Sequence, residues 1–262
     1  MITVIFGPPG AGKGCLQTAM IEWLYNNEGE DILSDCNELL EQYNVEFNRS
    51  LVKPKKVPIF SDFEVKFKID YEKYYSPYFI NGYFFGLNNP LLIPMFFPPC
   101  SKFFLTECQR YYDSRKSASL PDFVSRAYEF HRHYYIDITL DIQRLSLLDK
   151  NIKELATRFI YVKELKTIED ELGNIVKTIW FCKEFTNSCD AEDYAENNAK
   201  VGKDIKFEYD GNIFENYDSF SNFQKFIPDK YHDFKYIEHT DKTVYNEILM
   251  PEDYRGAKIR RN

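Results

Sequence analysis

The sequence of 262 residues lacks the features that mark several common protein classes. No two of its six cysteines form a CxxC pair, and no histidine stands at zinc-finger spacing from a cysteine. No signal peptide precedes the first motif, which begins almost at Met1. We therefore expect reduced thiols and a cytoplasmic location.

Two further absences narrow the class of partner. The most apolar stretch, 87–105, contains four prolines and a lysine, so it does not predict a membrane-spanning helix. Acidic residues outnumber basic ones, and the net charge of −8 argues against a general polyanion-binding protein. The chain is instead 44% hydrophobic and 17% aromatic, which is enough for one α/β domain with an appendage and a sizeable core.

The most informative motif is a glycine-rich loop near the N-terminus. It follows an apolar run, Ile2–Phe6, and precedes a helical pattern over 13–25, which is the context of a phosphate-binding P-loop. Glycines let backbone N–H groups turn inward around phosphates, the helix start adds partial positive charge, and Lys13 would reach the outer phosphates. A plain Gly/Pro turn is the disfavoured alternative. The predicted nucleotide-binding residues, with ATP or ADP as ligand, are Gly7, Pro8, Pro9, Gly10, Ala11, Gly12, Lys13, Gly14 and Cys15.

The motif departs from the usual pattern at its end. Ser or Thr normally follows the lysine and its hydroxyl holds Mg²⁺, whereas this chain has Gly14 and then Cys15. A thiol is a poor ligand for a hard cation. Nucleotide binding is therefore predicted more strongly than hydrolysis, and any Mg²⁺ should be held mainly by phosphates and water.

Polar residues at the ends of two later strands supply candidates for chemistry. Glu107 follows the apolar run 103–105 and is placed to activate water, while the usual acidic metal ligand before it is replaced by Thr106. On the next strand, Gln143 could sense the terminal phosphate, and Asp141 is the candidate metal ligand. Arg132 is the first arginine-finger candidate. Other candidates for that role are Arg126, Arg144 and Arg158.

The pattern of the chain predicts three regions. Residues 1–158 form the P-loop NTPase core, 159–219 a β-hairpin extension packed on it, and 220–262 a weakly patterned tail. We expect a strand pair or one long edge strand over Val57–Ile69, a loop over Tyr71–Pro99, a helix over Pro121–His131 and a strand over Tyr134–Ile142. Two hairpins should follow, one of Phe159–Leu165 with Ile175–Phe185 and a small one of Ile205–Tyr209 with Asn212–Phe214.

Taken in order, these pieces resemble the zonular occludens toxin-like (Zot) family, which includes the gene-I-type assembly ATPases of filamentous phages. The resemblance covers roughly Met1 to Ser219. The residues that carry it are the loop Gly7–Lys13, Leu105–Gln109, Arg115, Pro121, Glu129–His133, Asp137–Gln143, the Phe159–Phe185 hairpin with Trp180, and Ile213–Ser219.

The resemblance implies an α/β fold, namely a RecA-like P-loop NTPase with a mostly parallel core sheet flanked by helices and a C-terminal antiparallel β-hairpin region. It implies ATP and Mg²⁺ as cofactors and ATP-driven assembly and export of a phage. It also implies a homo-oligomer that meets single-stranded DNA or phage and membrane assembly proteins at the inner face of the host membrane. Gly14, Thr106 and the missing transmembrane helix are departures from that family.

Three functions stay open at this point. The first is an oligomeric ATPase motor for phage morphogenesis or DNA export. The second is a nucleotide-binding assembly or adaptor protein with little or no hydrolysis. The third is a nucleotide kinase, because the loop is similar to that of adenylate kinase. That kinase loop continues with Thr where this chain has Cys15, and no Asp-Gly-Phe-Pro-Arg-like segment is present.

Overall fold

The computed structural model describes residues 1–27, 30–46, 57–63, 65–70, 73–75, 78–79, 100–115 and 128–217. The strands within these ranges are β1 (Ile2–Phe6), β2 (Ile59–Ser61), β3 (Phe67–Asp70), β4 (Lys73–Tyr75), β5 (Tyr78–Phe79), β6 (Lys102–Leu105), β7 (Asp137–Ile142), β8 (Arg158–Glu169), β9 (Ile175–Phe185) and β10 (Lys203–Asp210). The α-helices that lie wholly within these ranges are α1 (Lys13–Asn27), α2 (Glu30–Glu46), α3 (Lys150–Leu155) and α4 (Ser188–Asn197).

One sheet of eight strands organises the described chain, in the order β10-β9-β8-β1-β7-β6-β2-β5. All pairs from β8 to β5 are parallel, and β8, β9 and β10 pair antiparallel. The central strand β1 carries the glycine-rich loop at its carboxyl end, and β7 separates it from β6. The predicted fold class, a RecA-like α/β core with an added antiparallel hairpin, is confirmed.

The sheet is covered by helices on both faces because its strands alternate between two apolar clusters. Val4 and Phe6 pack on one face with Ile152 of α3 and Ala191 of α4. Ile5 points to the other face, where residues of α1 pack beside the hairpin strands. Every residue of β1 is buried, which is the pattern of a parallel strand enclosed on both sides.

The β8–β9 hairpin continues the core sheet directly, because β8 lies parallel to β1 while β9 returns beside it. Its turn is held by the Asp170 carboxylate, which accepts hydrogen bonds from Leu172 N and Asn174 N at 2.9 Å each. The division at residue 158 into a core and an extension stays a prediction.

The small hairpin predicted after Ile205 is wrong in its second half. The first half is β10, but it pairs with β9. The segment 212–214 begins a 3₁₀ turn over Ile213–Glu215 instead, because the Asn212 side chain accepts a hydrogen bond from Phe214 N and caps that turn.

Several predicted boundaries also shift. The strand pair over 57–69 is reduced to β2 and β3, which do not pair with each other. The strand predicted from Tyr134 begins at Asp137, after a 3₁₀ turn over His131–Tyr134. Short strands occupy 73–75 and 78–79 where a loop was predicted. The remainder of that loop and 121–127 of the predicted helix lie outside the described residues.

The cysteines differ from expectation at one position. Cys15, Cys108, Cys182 and Cys189 are free thiols, but Cys100 is disulfide-bonded, so the prediction of reduced thiols is wrong there. A disulfide can join cysteines that are far apart in sequence, and local spacing therefore gave no sign of it. None of the helices within the described ranges has the length and apolar character needed to span a membrane.

The burial of a histidine before β7 makes the free energy of unfolding depend on pH. Burial lowers the pKa of His131 from its ordinary 6.5 to about 4, although its Nδ1 contacts the Tyr128 carbonyl oxygen. The unfolded chain takes up the proton first, so the stabilising contribution is complete above pH 6.5 and is lost as the pH falls through 4. We expect His131→Asn to remove about 1–2 kcal/mol of this pH dependence, measured by urea unfolding.

The matched control is His133→Asn, two residues along in the same turn but exposed. It should unfold with the same pH profile as the unmodified protein. An unchanged profile for His131→Asn would contradict the assignment.

Candidate nucleotide-binding site

The glycine-rich loop is pressed against the hairpin. Gly7 has a φ of +147°, and a Cβ built on it would lie 2.6 Å from the Val162 carbonyl oxygen of β8. Because no larger residue fits this approach, glycine is required where the chain leaves β1. The loop then turns over Pro8–Gly12 and enters α1 at Lys13.

A buried tryptophan on β9 fixes the far side of the loop. The Trp180 indole N–H donates to the Gly12 carbonyl oxygen at 3.0 Å, and the ring is fully buried. The hairpin therefore holds the loop in shape before any ligand arrives. The sequence singled out Trp180 only through the family resemblance, because the hydrogen-bond partner of a buried tryptophan cannot be inferred from sequence alone.

The loop lysine is buried and folded back over its own loop. Lys13 Nζ donates to the carbonyl oxygens of Gly7 at 3.1 Å and Pro8 at 3.2 Å. These two bonds hold the ammonium over the loop. The role of Lys13 as the phosphate contact stays a prediction.

Asp141 lies between the loop and Glu107. Its carboxylate accepts the Glu107 N–H at 3.1 Å and feels the positive charge of Lys13. Burial raises the pKa of Asp141 to about 7, and the negative charge of Glu107 adds to that rise, while Lys13 and the hydrogen bond oppose it. The strand order explains the position, because β7 separates the loop strand from β6.

Glu107 and Gln143, which the sequence singled out separately, are in contact. Gln143 Nε2 donates to Glu107 Oε2 at 3.2 Å, and Gln109 Nε2 donates to the same oxygen. The Glu107 backbone is left-handed, with φ 48° and ψ 46°, a conformation that is uncommon outside glycine. Such strain is often found at functional positions, where it aims a side chain that a relaxed backbone would turn away.

Sequence reasoning missed a second buried carboxylate. Asp62 follows β2, and its Oδ1 accepts the Thr106 N–H at 2.8 Å and the Thr106 hydroxyl at 3.3 Å. Burial raises its pKa to about 8, and the nearby Asp141 adds to the rise. An acidic residue after an apolar strand was the available signal, the same one that pointed to Glu107. A carboxyl group from the neighbouring strand thus lies against position 106, where the usual acidic residue is absent.

The space beside Gly14, where the usual motif has a Ser or Thr side chain, is filled by the side chain of Tyr217. A Cβ built on Gly14 would lie 2.4 Å from the Tyr217 hydroxyl oxygen. The adjacent Cys15 is buried, and burial raises the pKa of its thiol to about 12, so it remains a neutral thiol. Tyr217 was part of the family resemblance, but the sequence did not place it at the loop.

The arginine-finger candidates Arg132 and Arg144 lie at opposite edges of the sheet. Arg132 precedes β7 and lies near Met1, at the edge where β1 begins, so it does not reach the loop of its own chain. Arg144 follows β7 and lines a cavity of about 430 Å³ with Gly7, Pro8 and Gln143. Arg110, which the sequence did not single out, acts by its charge on the carboxylates beside the loop.

The donor set suits a metal ion that arrives with the nucleotide. Asp141 and Asp62 offer the hard oxygen ligands that Mg²⁺ prefers. Within the part of the chain that the structure describes, no group of three or more His, Cys, Asp or Glu side chains could hold an ion by itself. The residues therefore fit Mg²⁺ held in part by phosphates and water, and do not fit a resident metal.

The strand order, the loop after β1 and the buried lysine define a P-loop nucleotide-binding protein of the ATPase-like class. Residues 102–224 match the model of the family "Zonular occludens toxin (Zot)", which confirms the resemblance found in the sequence. No curated protein sequence matches the chain.

Among solved structures, the chain is similar to the N-terminal domain of zonular occludens toxin from Neisseria meningitidis, with 17% identity, a TM-score of 0.48, and coverage of 83% of this chain and 98% of that one. It is also similar to the genome packaging NTPase B204 from Sulfolobus turreted icosahedral virus 2, with 10% identity, a TM-score of 0.34 and coverage of 71% and 97%. A third is the Legionella pneumophila ATPase DotB, with 15% identity, a TM-score of 0.35 and coverage of 73% and 47%. Similarities this distant carry no information about activity.

Replacing the loop lysine should remove most nucleotide affinity. Lys13→Ala deletes a charge-assisted contact of about 1.5–3 kcal/mol, so the Kd for a fluorescent ADP analogue should rise at least ~10-fold. The control is Lys150→Ala, which removes an exposed lysine of α3. Equal affinities of Lys13→Ala and the unmodified protein would remove the assignment of this loop as the binding site.

Proposed function

We propose that this protein hydrolyses ATP and uses the energy as a motor in phage assembly or DNA export. The observation that carries the proposal is the contact of Glu107 with Gln143 beside Asp141 and Lys13. A carboxylate held by amides at the carboxyl edge of a P-loop sheet is the arrangement that positions an attacking water. The match to the Zot family model supports the resemblance from which the link to phage assembly is taken.

The chain's own residues would divide the chemistry among them. Lys13 and the loop N–H groups bind the phosphates and spread their charge. Asp141 would help to hold Mg²⁺, which when bound would supply neutralisation of the phosphate charge. Glu107 orients a water and accepts its proton as the water oxygen bonds to the γ-phosphorus and the bond to the bridging oxygen breaks. Gln143 holds the Glu107 carboxylate and faces the terminal phosphate.

A nucleotide-binding adaptor with little hydrolysis is the second candidate. It is favoured by the absence of a hydroxyl at Gly14 and of an acid at Thr106, the two positions that normally organise the metal. Turnover of ATP, measured with and without single-stranded DNA, separates the adaptor from the motor.

Turnover should depend on Glu107, whereas binding should not. Glu107→Gln keeps the size of the side chain and its contact with Gln143 but loses the proton-accepting group, so hydrolysis should slow by roughly 10²-fold or more. The Kd for ATP should stay within about 2-fold, because the carboxylate does not bind the ground-state phosphates in this scheme. Steady-state phosphate release and equilibrium binding measure the two effects.

Glu154→Gln is the matched control, since it makes the same change at an exposed position on α3. Hydrolysis by Glu107→Gln at the rate of this control would exclude Glu107 as the base.

We also propose that the active form is a homo-oligomer in which an arginine of one copy meets the nucleotide of the next. Arg132 lies at the edge of the sheet away from its own loop, so it can act only on another copy. Arg144 lies at the loop edge and is the second candidate. The transition state gains negative charge on the phosphoryl oxygens, which an added guanidinium would stabilise. Contact with assembly proteins at the inner face of the host membrane belongs to the same proposal.

Mixing two inactive variants tests the oligomer. Arg132→Ala copies keep a complete loop, and Lys13→Ala copies keep the arginine, so mixed rings contain some complete sites. Turnover of the mixture should exceed the sum of the separate activities, and sedimentation with an ATP analogue should show species larger than a monomer.

The control mixture pairs Arg132→Ala with the double variant Lys13→Ala/Arg132→Ala, which restores no complete site. Recovery with Arg144→Ala in place of Arg132→Ala would assign the role to Arg144. A monomer at all micromolar concentrations, with turnover independent of concentration, would contradict shared sites.

A further inference from the structure

We propose that Tyr217 supplies the hydroxyl that the P-loop lacks at position 14, and that this hydroxyl faces the Mg²⁺ and phosphates of the bound nucleotide. The inference rests on the proposed nucleotide site and adds to it a residue from a distant part of the chain. In this view Gly14 and Tyr217 together replace the single Ser or Thr of the usual motif.

The first support is the volume that Tyr217 fills. A Cβ on Gly14 would lie 2.4 Å from the tyrosine oxygen and 2.6 Å from the ring carbon Cζ that bears it. Both distances are shorter than contacts between unbonded atoms. The phenol end therefore occupies the space of the missing side chain, and it brings a hydroxyl oxygen to that space. The glycine is required here because any side chain would collide with the phenol.

The second support is that Tyr217 is fixed in place. Its backbone forms an antiparallel bridge with Val65, and Lys66 N donates to the Asn216 carbonyl oxygen at 3.2 Å. Its ring packs edge-on against Phe63, with ring centroids 6.0 Å apart. The backbone pairing and the aromatic packing together fix the position of the Tyr217 side chain beside Gly14.

The third support is the chemical state of the hydroxyl. Burial is the main cause that raises the pKa of Tyr217 well above its ordinary value, and the nearby Asp141 adds to the rise. The phenol therefore stays neutral, as Ser and Thr hydroxyls do. A neutral hydroxyl offers an oxygen to a hard cation or to its water shell and a hydrogen to a phosphate oxygen.

The test compares nucleotide affinity with and without the metal. The probe is a fluorescent ADP analogue, and the Kd is measured in excess Mg²⁺ and again in EDTA. Tyr217→Phe removes only the oxygen, so the Kd in Mg²⁺ should rise about 10-fold while the Kd in EDTA changes by less than about 2-fold. Tyr135→Phe is the control, because Tyr135 is exposed and precedes β7 at the edge of the sheet away from the loop.

An exchange variant tests the pairing of the two positions. Gly14→Ser alone should weaken binding, because its Cβ meets the tyrosine. Gly14→Ser with Tyr217→Ala frees that space and restores the usual hydroxyl, so the preference for Mg²⁺ should return. Mn²⁺ in place of Mg²⁺ gives a spectroscopic readout, since electron paramagnetic resonance reports directly on the ion bound with the nucleotide.

The outcomes separate this inference from the proposed function. Loss of affinity in Lys13→Ala with an unchanged Mg²⁺ preference in Tyr217→Phe would overturn the role of Tyr217 and leave the nucleotide site standing. An equal loss for Tyr217→Phe in Mg²⁺ and in EDTA would assign Tyr217 a packing role and also overturn it. Unchanged affinity in Lys13→Ala would remove the site itself. If Tyr217→Phe does not fold, the exchange variant decides, since failure to regain the Mg²⁺ preference counts against the pairing.

Discussion

The parallel pairing of β1 with β7 on one side and β8 on the other is the constraint on which the structure depends. It encloses an apolar strand between two hydrogen-bonded neighbours and two covered faces, so the carboxyl end of β1 has one position. The P-loop begins at that end, and the polar residues that follow β6 and β7 emerge at the same edge. The candidate chemistry is therefore gathered by the sheet, although Lys13 and Asp141 are 128 positions apart in the sequence.

The hairpin adds a second constraint on the loop. Val162 approaches Gly7 so closely that only glycine fits, and the Trp180 indole holds the carbonyl of Gly12. A loop shaped before its ligand arrives loses less conformational entropy on binding than a free one. The buried carboxyls of Asp62 and Asp141 act in the opposite direction, because burial raises the pKa of each and their charged forms cost stability. Groups of this kind are concentrated at functional sites.

The sequence was sufficient where the signal is local. The loop, the strand β1, the hairpin and the polar ends of β6 and β7 could each be predicted from a run of a few residues. It was insufficient where position depends on pairing between distant strands. Asp62 meets Thr106 only because β2 lies beside β6, and β10 pairs with β9 instead of with the segment that follows it. Arg132, the first arginine-finger candidate, precedes β7 and therefore lies at the edge of the sheet opposite the loop.

The positions of Tyr217 and Asp62 in the fold change how the two departures from the P-loop motif are interpreted. In the sequence alone, Gly14 and Thr106 indicate that two metal-organising groups are lost, because a hydroxyl and a carboxylate are missing from the positions that normally hold them. In three dimensions, a hydroxyl from Tyr217 lies against Gly14, and a carboxylate from Asp62 accepts two hydrogen bonds from Thr106. Both groups are held by the segment 59–65, since Asp62 belongs to it and Tyr217 pairs with Val65. A ligand requires an oxygen atom at a given position, and any residue of the chain can supply that atom. The loss of a motif residue therefore predicts loss of activity only when no neighbouring side chain fills the same space.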